Sequence, residues 1–282
     1  MPSLADEGAV RRGRRIGAFP GRTDAALVRE FAAATRDPAA SLRAGRVVPP
    51  AMVVTQLWEA QEAGRAALVP VEFQSAARGG VHGEHDLLVH RPIEVGEPLQ
   101  TWVEGIGARP AGANSLVVLR YRTLDGRNEV VAEQWWTTVW LGVTCAETGA
   151  AAPDHSFPDA AWGRPLGAWS VEVDADMARR YASVSGDWSA HHFDEEAARR
   201  SGATGPFLHG LCTLALCAQG VVALAAGGQP ERLARIAVRY AKPVLLGERL
   251  DVRLYDAGPD GLAFEAESRG SKVITQGRAE LR

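Results

Sequence analysis

The sequence has few cysteines, little net charge and no long apolar run, and each shortage narrows the class of protein. Its three cysteines among 282 residues are Cys145, Cys212 and Cys217, which form no CxxC pair and leave one thiol unpaired in any scheme. Since Cys212 and Cys217 lie in an apolar stretch, we expect buried free thiols and a reducing cytoplasm. The formal net charge of −3 gives no reason to expect nucleic acid or an anionic membrane as a partner.

Further absences concern membranes and cofactors. The apolar run at 211–226 is shorter than a membrane span, which favours a helix buried inside a domain. No apolar stretch follows the arginines of segment 1–15, so no signal peptide is predicted. No glycine-rich dinucleotide fingerprint follows a strand, so no redox cofactor is expected. The remaining composition, 46% hydrophobic and 23% charged residues, is typical of a soluble globular protein.

The chain contains two weak internal repeats in the same order and at nearly the same offset. Residues 28–37 (VREFAAATRD) align with 178–187 (ARRYASVSGD), and residues 91–99 (RPIEVGEPL) align with 242–250 (KPVLLGERL). The repeat length of about 150 residues is that of a domain. The architecture is therefore predicted to be a duplicated one.

Between the two copies lies a segment that is rich in Pro, Gly and Ala and lacks periodic apolar spacing, as is typical of a linker. We therefore predict an N-terminal domain at 13–142, a linker at 143–167 and a C-terminal domain at 168–282. Each domain is long enough to bury a core of its own.

Helices precede strands within each copy. In the second, Asp174 or Asp176 can cap a helix that Gly186 ends, and a loop, a short helix at 194–201 and an apolar helix from 210 follow. Alternation and turn glycines then predict strands at 233–241, 249–256, 262–268 and 273–281. In the first copy, strands are predicted at 83–93, 98–105, 115–124 and 129–141. An apolar helix followed by a meander indicates an α+β fold in which a curved antiparallel sheet wraps a helix.

Chemistry-bearing residues concentrate at the start of the second copy. Asp187 stands five residues before His192 on a predicted loop, and His209-Gly210 opens the apolar helix. A carboxylate and an imidazole beside a helix N-terminus supply an acid–base pair together with an oxyanion-stabilising dipole.

This pattern resembles the signature of the MaoC-like, or type 2, enoyl-CoA hydratases, which runs S-G-D-x-N-P-x-H-x-D and then H-G. The spacings from Asp187 to His192 and from Asp187 to Gly210 both fit. The resemblance implies two tandem hotdog domains and reversible hydration of 2-enoyl thioesters to (3R)-3-hydroxyacyl thioesters. It implies a CoA or acyl-carrier-protein thioester as substrate, and a homodimer is a possibility that we keep open.

The resemblance also assigns roles. Asp187 and His192 would hold a water molecule at the β-carbon and move its protons, and the backbone N–H of Gly210 would stabilise charge on the thioester oxygen. His209 is expected to be a structural residue at the helix start that borders the substrate, whereas Trp188 and Ser189 are expected to contact it. His191 could line the pocket or point to solvent.

The chain departs from the signature in two places. The Asn-Pro pair of the family is replaced by Ser189-Ala190, which leaves the loop with fewer constraints. In the first copy Leu42 stands where His192 is expected, after Asp37, and Val48-Pro-Pro-Ala replaces Leu208-His-Gly. We also find no apolar helix that matches 211–226 there. The first copy is therefore predicted to keep the frame, to lack the chemistry, and to leave room for a bulky acyl chain.

Metal binding is the less favoured use of the histidines. One possible set is His191, His192, Asp194 and His209, and another is the run His82, Glu84, His85 and His90. Neither spacing matches a known metal framework, so no metal is predicted. On a regular strand His82 and Glu84 would share one face and His85 the other.

Two other functions remain open for the predicted hotdog protein. A non-catalytic module could bind acyl thioesters if Ser189-Ala190 reflects decay of the site, and a thioesterase could hydrolyse the thioester instead of hydrating the alkene. The retained trio of Asp187, His192 and Gly210 favours the hydratase.

Overall fold

A computed structural model describes residues 8–157 and 159–282, and one antiparallel sheet of 11 strands runs through them. The strands of the first half are β1 (Arg15–Gly21), β2 (Gly80–Val89), β3 (Leu99–Ala111), β4 (Asn114–Leu124), β5 (Val130–Trp140) and β6 (Thr148–Gly149). Those of the second half are β7 (Pro165–Glu172), β8 (Leu233–Tyr240), β9 (Arg249–Asp256), β10 (Leu262–Ser268) and β11 (Ser271–Leu281). Their spatial order is β1-β3-β4-β5-β2-β8-β11-β10-β9-β7, and β6 pairs with β3.

The two halves join where β2 pairs with β8. Leu87 lies opposite Ile236 near the centre of this antiparallel pair, and both side chains are fully buried. On the other face the Arg235 guanidinium donates to both carboxylate oxygens of Asp86, at 3.0 and 2.6 Å. Because Asp86 is almost fully buried, removing Arg235 would leave a buried charge without its partner, at a cost of about 3–5 kcal/mol. The junction is therefore part of the core.

The helices of the second half place the loop that carries the signature. They are α5 (Met177–Ser185), α6 (Glu195–Arg200) and α7 (Gly210–Ala225). Gly186 ends α5 in the left-handed conformation (φ 78°), a position that glycine adopts without strain. The side chain of Asp194 begins α6 by accepting from the Ala197 N–H. Most of α7 is buried, and a Cβ at Gly220 would come within 3.1 Å of Trp169 on β7, so the sheet wraps this helix closely.

The first half also contains a helix that packs on its sheet, although this helix is not apolar throughout as the one from Gly210 is. The helices there are α1 (Ala25–Ala34), α2 (Ala40–Arg43), a 3-10 segment (Pro50–Leu57) that leads into α3 (Trp58–Leu68), and α4 (Val71–Ala76). A Cβ at Gly64 would come within 3.1 Å of Val103 on β3, so α3 packs on its sheet as α7 does. The sequence did not reveal this helix because Gln61, Glu62 and Arg65 interrupt its apolar spacing.

The α+β class predicted from the sequence is confirmed, and the element bounds differ by a few residues. The strand predicted at 83–93 is β2, which begins earlier, at Gly80. The strand predicted at 98–105 is β3, which continues further, to Ala111. The side chain of Asp176 makes no capping hydrogen bond, and Asp174 instead accepts from Arg36 and Arg180. The domain bounds stay a prediction. Among the described residues, no helix has both the length and the apolar character needed to cross a membrane.

Candidate active site

Asp187 is held by the turn that follows α5. Its Oδ1 accepts hydrogen bonds from both the backbone N–H and the hydroxyl of Ser189, at 3.0 and 2.6 Å. A carboxylate that accepts from the residue two positions later forms a compact local turn. Ser189 therefore braces the loop without asparagine and proline, and it leaves Oδ2 of Asp187 free to face His192.

His192 has a ring orientation that the backbone fixes. It ends the 3-10 turn Ala190–His192, and its Nδ1 lies 2.8 Å from the carbonyl oxygen of Phe207. Because a carbonyl only accepts hydrogen bonds, Nδ1 carries a proton, and Nε2 is the nitrogen that faces Asp187. This Nε2 lies 3.7 Å from Oδ2 of Asp187. The distance is too long for a direct hydrogen bond and leaves both atoms available to contact one water molecule.

His209 connects this pair to α7. Its Nε2 donates to the carbonyl oxygen of Asp187 at 2.9 Å, and its ring stacks on His192 with centroids 3.6 Å apart. Burial is the main cause that lowers the pKa of His209 to about 4, with a further contribution from His192. The ring is therefore neutral at pH 7, and it contacts the backbone of Asp187 and the ring of His192 at the start of α7.

The charge of Asp187 is maintained in this environment. Burial raises its pKa, but hydrogen bonding from Ser189 and the proximity of His192 and His209 outweigh burial and bring the pKa below its usual value. Asp187 is therefore ionised at neutral pH. A carboxylate beside a histidine stabilises the imidazolium that forms when the ring takes up a proton.

Gly210 is the first residue of α7, so the helix itself has no acceptor for its N–H. The positive end of the helix dipole adds to the attraction of this N–H for a negative oxygen. A Cβ at this position would lie 3.3 Å from the Tyr240 ring and 3.5 Å from Nδ1 of His82. The close approach of these two rings explains why glycine fits here.

A cavity of about 700 Å³ joins these residues to the first half. Asp187, His192 and Gly210 line one side, and residues of the first half, including Trp58 and Trp136, line the other. A volume between about 300 and 1,000 Å³ is typical of small-molecule sites. The structure thus brings the predicted trio together in one cavity and places the first half as the opposite wall.

The other predicted site residues differ in their positions. Ser189, His191 and His209 line the cavity, and the ring of His191 stacks on Phe207. Trp188 lies outside the cavity, 55% exposed, with its ring 5.5 Å from that of Phe193. This position does not support the expected contact between Trp188 and the substrate, because the turn held by Ser189 directs residue 188 outward.

His82 lines the cavity, although the sequence analysis did not place it there. A register irregularity between His82 and Glu84 interrupts the strand alternation. His82 lines the cavity and lies edge-on to His85 at 5.3 Å, whereas Glu84 pairs with Arg239. The prediction that His82 and Glu84 share one face is wrong for this reason. Gly83, between two polar residues of a strand, was the signal for a bulge.

The two groups of possible metal ligands that the sequence offered do not come together as complete sets. The carboxylate of Asp194 caps α6, and His90 pairs with Glu133 at 3.1 Å. Within the described residues the cluster with metal-binding potential is Asp187, His192 and His209, whose donor atoms lie within 4.8 Å of one another. His192 and His209 each commit one ring nitrogen to a backbone carbonyl, which fixes the orientation of both rings.

Comparison with known proteins identifies relatives of this arrangement. The family model described as MaoC like domain matches residues 159–276. The 3-hydroxyacyl-thioester dehydratase Y of Mycobacterium tuberculosis is 30% identical over 209 residues, which are 71% of this chain and 72% of that protein. The peroxisomal enoyl-CoA hydratase 2 of Arabidopsis thaliana is 24% identical over 212 residues, covering 72% of this chain and 68% of that one.

The fold has a close match among solved structures. A MaoC-like dehydratase from Phytophthora capsici superposes with a TM-score of 0.84 over 99% of this chain and 97% of that chain, at 19% identity. At this identity the likeness concerns the fold alone. The prediction of two tandem hotdog units is confirmed.

Proposed function

Because this chain belongs to the MaoC-like dehydratase family, we propose that it interconverts 2-enoyl thioesters and (3R)-3-hydroxyacyl thioesters. The observation that supports this most is the pairing of ionised Asp187 with an imidazole whose Nδ1–H is fixed on the Phe207 carbonyl. That pairing leaves a lone pair on Nε2 and a carboxylate oxygen at the same point of the cavity. Two such groups are what the addition of water to an activated alkene needs.

In the hydration direction Asp187 and His192 hold a water molecule at the β-carbon. As the water oxygen forms its bond to that carbon, its proton passes to Nε2 of His192, and Asp187 stabilises the resulting imidazolium. The same proton then passes to the α-carbon, so that one water molecule is added and the pair returns to its first state. In the dehydration direction the neutral imidazole removes the α-proton and returns it to the departing hydroxyl.

Gly210 acts on the thioester oxygen. Negative charge collects on that oxygen while the β-carbon is attacked, and the Gly210 N–H at the start of α7 donates to it. A single donor of this kind contributes about 2.7–4 kcal/mol to the transition state in other enzymes. The glycine also lets the thioester approach the backbone between the Tyr240 and His82 rings.

One assay distinguishes this function from its alternatives. The protein is incubated with crotonyl-CoA and with a long-chain or ring-bearing enoyl-CoA, and the products are identified by mass. The expected product keeps the thioester and is heavier than the substrate by about 18 Da, the mass of one water molecule. Release of free CoA would indicate a thioesterase, and unchanged substrate with measurable binding would indicate a binding module.

The substrate is proposed to be bulkier than a four-carbon acyl group. The cavity of about 700 Å³ extends along α3 past Gln61 and Arg65, well beyond the reacting pair. Each further buried methylene contributes about 0.8 kcal/mol, so kcat/KM is expected to rise about fourfold per added methylene until the cavity is full. A preference for crotonyl-CoA over every longer substrate would contradict this expectation.

The carrier, the assembly and the compartment are further proposals. We expect a CoA or acyl-carrier-protein thioester as substrate, which a parallel assay with both carriers resolves. A homodimer is tested by light scattering. A reducing cytoplasm is supported by the free thiols of Cys212 and Cys217, both buried on α7.

A further inference from the structure

We infer that His82, a residue of the first half, hydrogen-bonds to the thioester oxygen beside the Gly210 amide, so that the reacting centre is built from both halves of the chain. This inference rests on the proposed function. It adds a substrate contact that comes from a segment outside the signature motif and outside the half that carries it.

The position of His82 is the first argument. Its Nδ1 lies 3.5 Å from where a Cβ on Gly210 would be, beside the Tyr240 ring at 3.3 Å. His82 lines the same cavity as Asp187 and His192. A thioester whose oxygen accepts from the Gly210 N–H therefore lies against the His82 ring.

The rigidity of the ring is the second argument. His82 stacks on Trp136 with centroids 3.8 Å apart and planes 8° apart, and Tyr240 lies against it at 4.7 Å. His85 meets it edge-on. A donor held in place by neighbouring rings needs little reorganisation when charge develops on the substrate, which is the property that makes such donors effective.

The polar atoms around the ring are the third argument. The Nε2 of His82 and the hydroxyl of Tyr240 are buried and have no hydrogen-bond partner among the described residues. Because these two atoms are enclosed by protein, the proposed contact with the substrate rests on Nδ1, the ring nitrogen that lies toward Gly210. Burial and the neighbouring His85 also lower the pKa of His82 well below its usual value, so the ring is a neutral donor and acceptor.

The duplicated frame supplies a built-in comparison. At the offset of the second repeat, the residue that corresponds to His82 is Leu233, the first residue of β8. Leu233 lines a different, smaller cavity, which contains Asp37. The repeated fold is thus compatible with leucine at this strand position, and the histidine is found in the cavity that contains the signature residues.

The test uses His82→Leu, which installs the residue that the other copy has. Wild type and variant are compared for kcat with the best enoyl-CoA and for binding of two unreactive ligands, butyryl-CoA and its thioether analogue S-butyl-CoA, by calorimetry. Only butyryl-CoA has the carbonyl oxygen. The variant is expected to lose about 10²-fold in kcat, as for removal of one oxyanion donor.

The binding data separate a substrate contact from a structural role. Loss of a neutral hydrogen bond is expected to raise the Kd of butyryl-CoA about fivefold to tenfold. The Kd of S-butyl-CoA is expected to stay within twofold of the wild-type value. His82→Asn, which keeps an amide group near the position of Nδ1, is expected to recover at least tenfold of the lost kcat. His90→Leu, on an exposed histidine just beyond β2, is the matched control and is expected to behave as wild type.

Equal weakening of both ligands, or unchanged kcat in a folded His82→Leu protein, would overturn the role of His82. If His82→Leu does not fold, the decision rests on His82→Asn, for which the same ratio of the two ligand affinities is measured. Absence of hydration by the wild-type protein would instead refute the proposed function, and the ligand-binding comparison would still report on His82.

Discussion

The two halves of the chain build two unequal cavities from the same frame. The larger, about 700 Å³, contains Asp187 and His192, and the smaller, about 220 Å³, contains Asp37 at the position that matches Asp187. Leu42, which stands in place of His192, is fully buried in the core. The repeated fold thus has a cavity in both places, and in only one of them do the side chains bring a carboxylate and an imidazole together.

The first residues of the two central helices also differ between the halves, and again only the second half has the polar group. In the second half α7 begins with Gly210, whose N–H is free to donate, whereas the first-half helical segment begins with Pro50, which has no N–H. Pro50 lines the smaller cavity together with Pro49 and Ala51. The smaller cavity therefore lacks a counterpart of the oxyanion donor as well as of the histidine. What distinguishes the sites is the chemistry of a few side chains and one backbone group.

The largest effect is expected from removing the acid–base pair of the larger cavity. Asp187→Asn and His192→Gln are each predicted to lower kcat by about 10²–10⁴-fold, the usual contribution of general acid–base groups. Both residues lie on a loop after α5, so thermal unfolding should change little. Steady-state kinetics at saturating substrate check this, and a variant that kept a third of wild-type kcat would remove that residue from the mechanism.

A smaller effect is expected at the helix start. Gly210→Ala adds a Cβ 3.3 Å from the Tyr240 ring and 3.5 Å from Nδ1 of His82, so the Tyr240 ring must move by a few tenths of an ångström and the methyl group occupies space where the thioester is proposed to bind. We predict that kcat/KM falls about tenfold. The loss should be smaller than the roughly 10²–10³-fold fall in kcat that follows removal of an oxyanion donor, because the Gly210→Ala variant keeps the N–H.

Gly220→Ala is the matched control, since it lies on the same helix but faces Trp169 and Val252 at 3.1 and 3.3 Å. It should lower the melting temperature and leave kcat of the folded protein unchanged. If both variants affected activity equally, crowding of α7 in general, and not the site at its start, would be the cause.

The comparison of cavities also shows what the sequence could predict. The juxtaposition of Asp187, His192 and Gly210 could be predicted because their spacings match the MaoC-like signature, whereas the spacing of Asp187 and His192 alone would not have been enough. The wall from the first half could not be predicted in detail. Its residues come from β2, β5 and α3, and the irregularity at Gly83 changes which side chains of β2 face inward. The outward position of Trp188 could not be predicted, because the Ser189–Asp187 hydrogen bonds that turn it outward depend on rotamers.

The histidines of the larger cavity predict a pH effect on stability that the smaller cavity cannot produce. The pKa of His209 is about 4 when folded, below its ordinary value of 6.5, mainly because of burial. Between these values the unfolded chain binds more protons than the folded one, so stability falls as pH falls from about 6.5 to 4.

For His209→Asn we therefore expect a smaller loss of melting temperature between pH 7.5 and pH 5 than for wild type. The difference corresponds to about 1–2 kcal/mol for a shift of this size. Differential scanning calorimetry at both pH values measures it. An unchanged pH dependence of the melting temperature in His209→Asn would show that this ring does not resist protonation.

The smallest effect is expected at Asp37, the counterpart of Asp187. Its carboxylate accepts from the Ala39 N–H at 2.9 Å, and burial is the main cause that raises its pKa above the usual value. Asparagine keeps the acceptor and removes the buried charge. Asp37→Asn should therefore leave kcat and KM within twofold of wild type and raise the melting temperature slightly at pH 7. The gain should shrink as pH falls through the raised pKa, because the wild-type carboxyl then becomes neutral too.

A clear fall in activity with unchanged melting temperature would mean that the smaller cavity takes part in turnover, and that the chain has more than the one active site proposed for it.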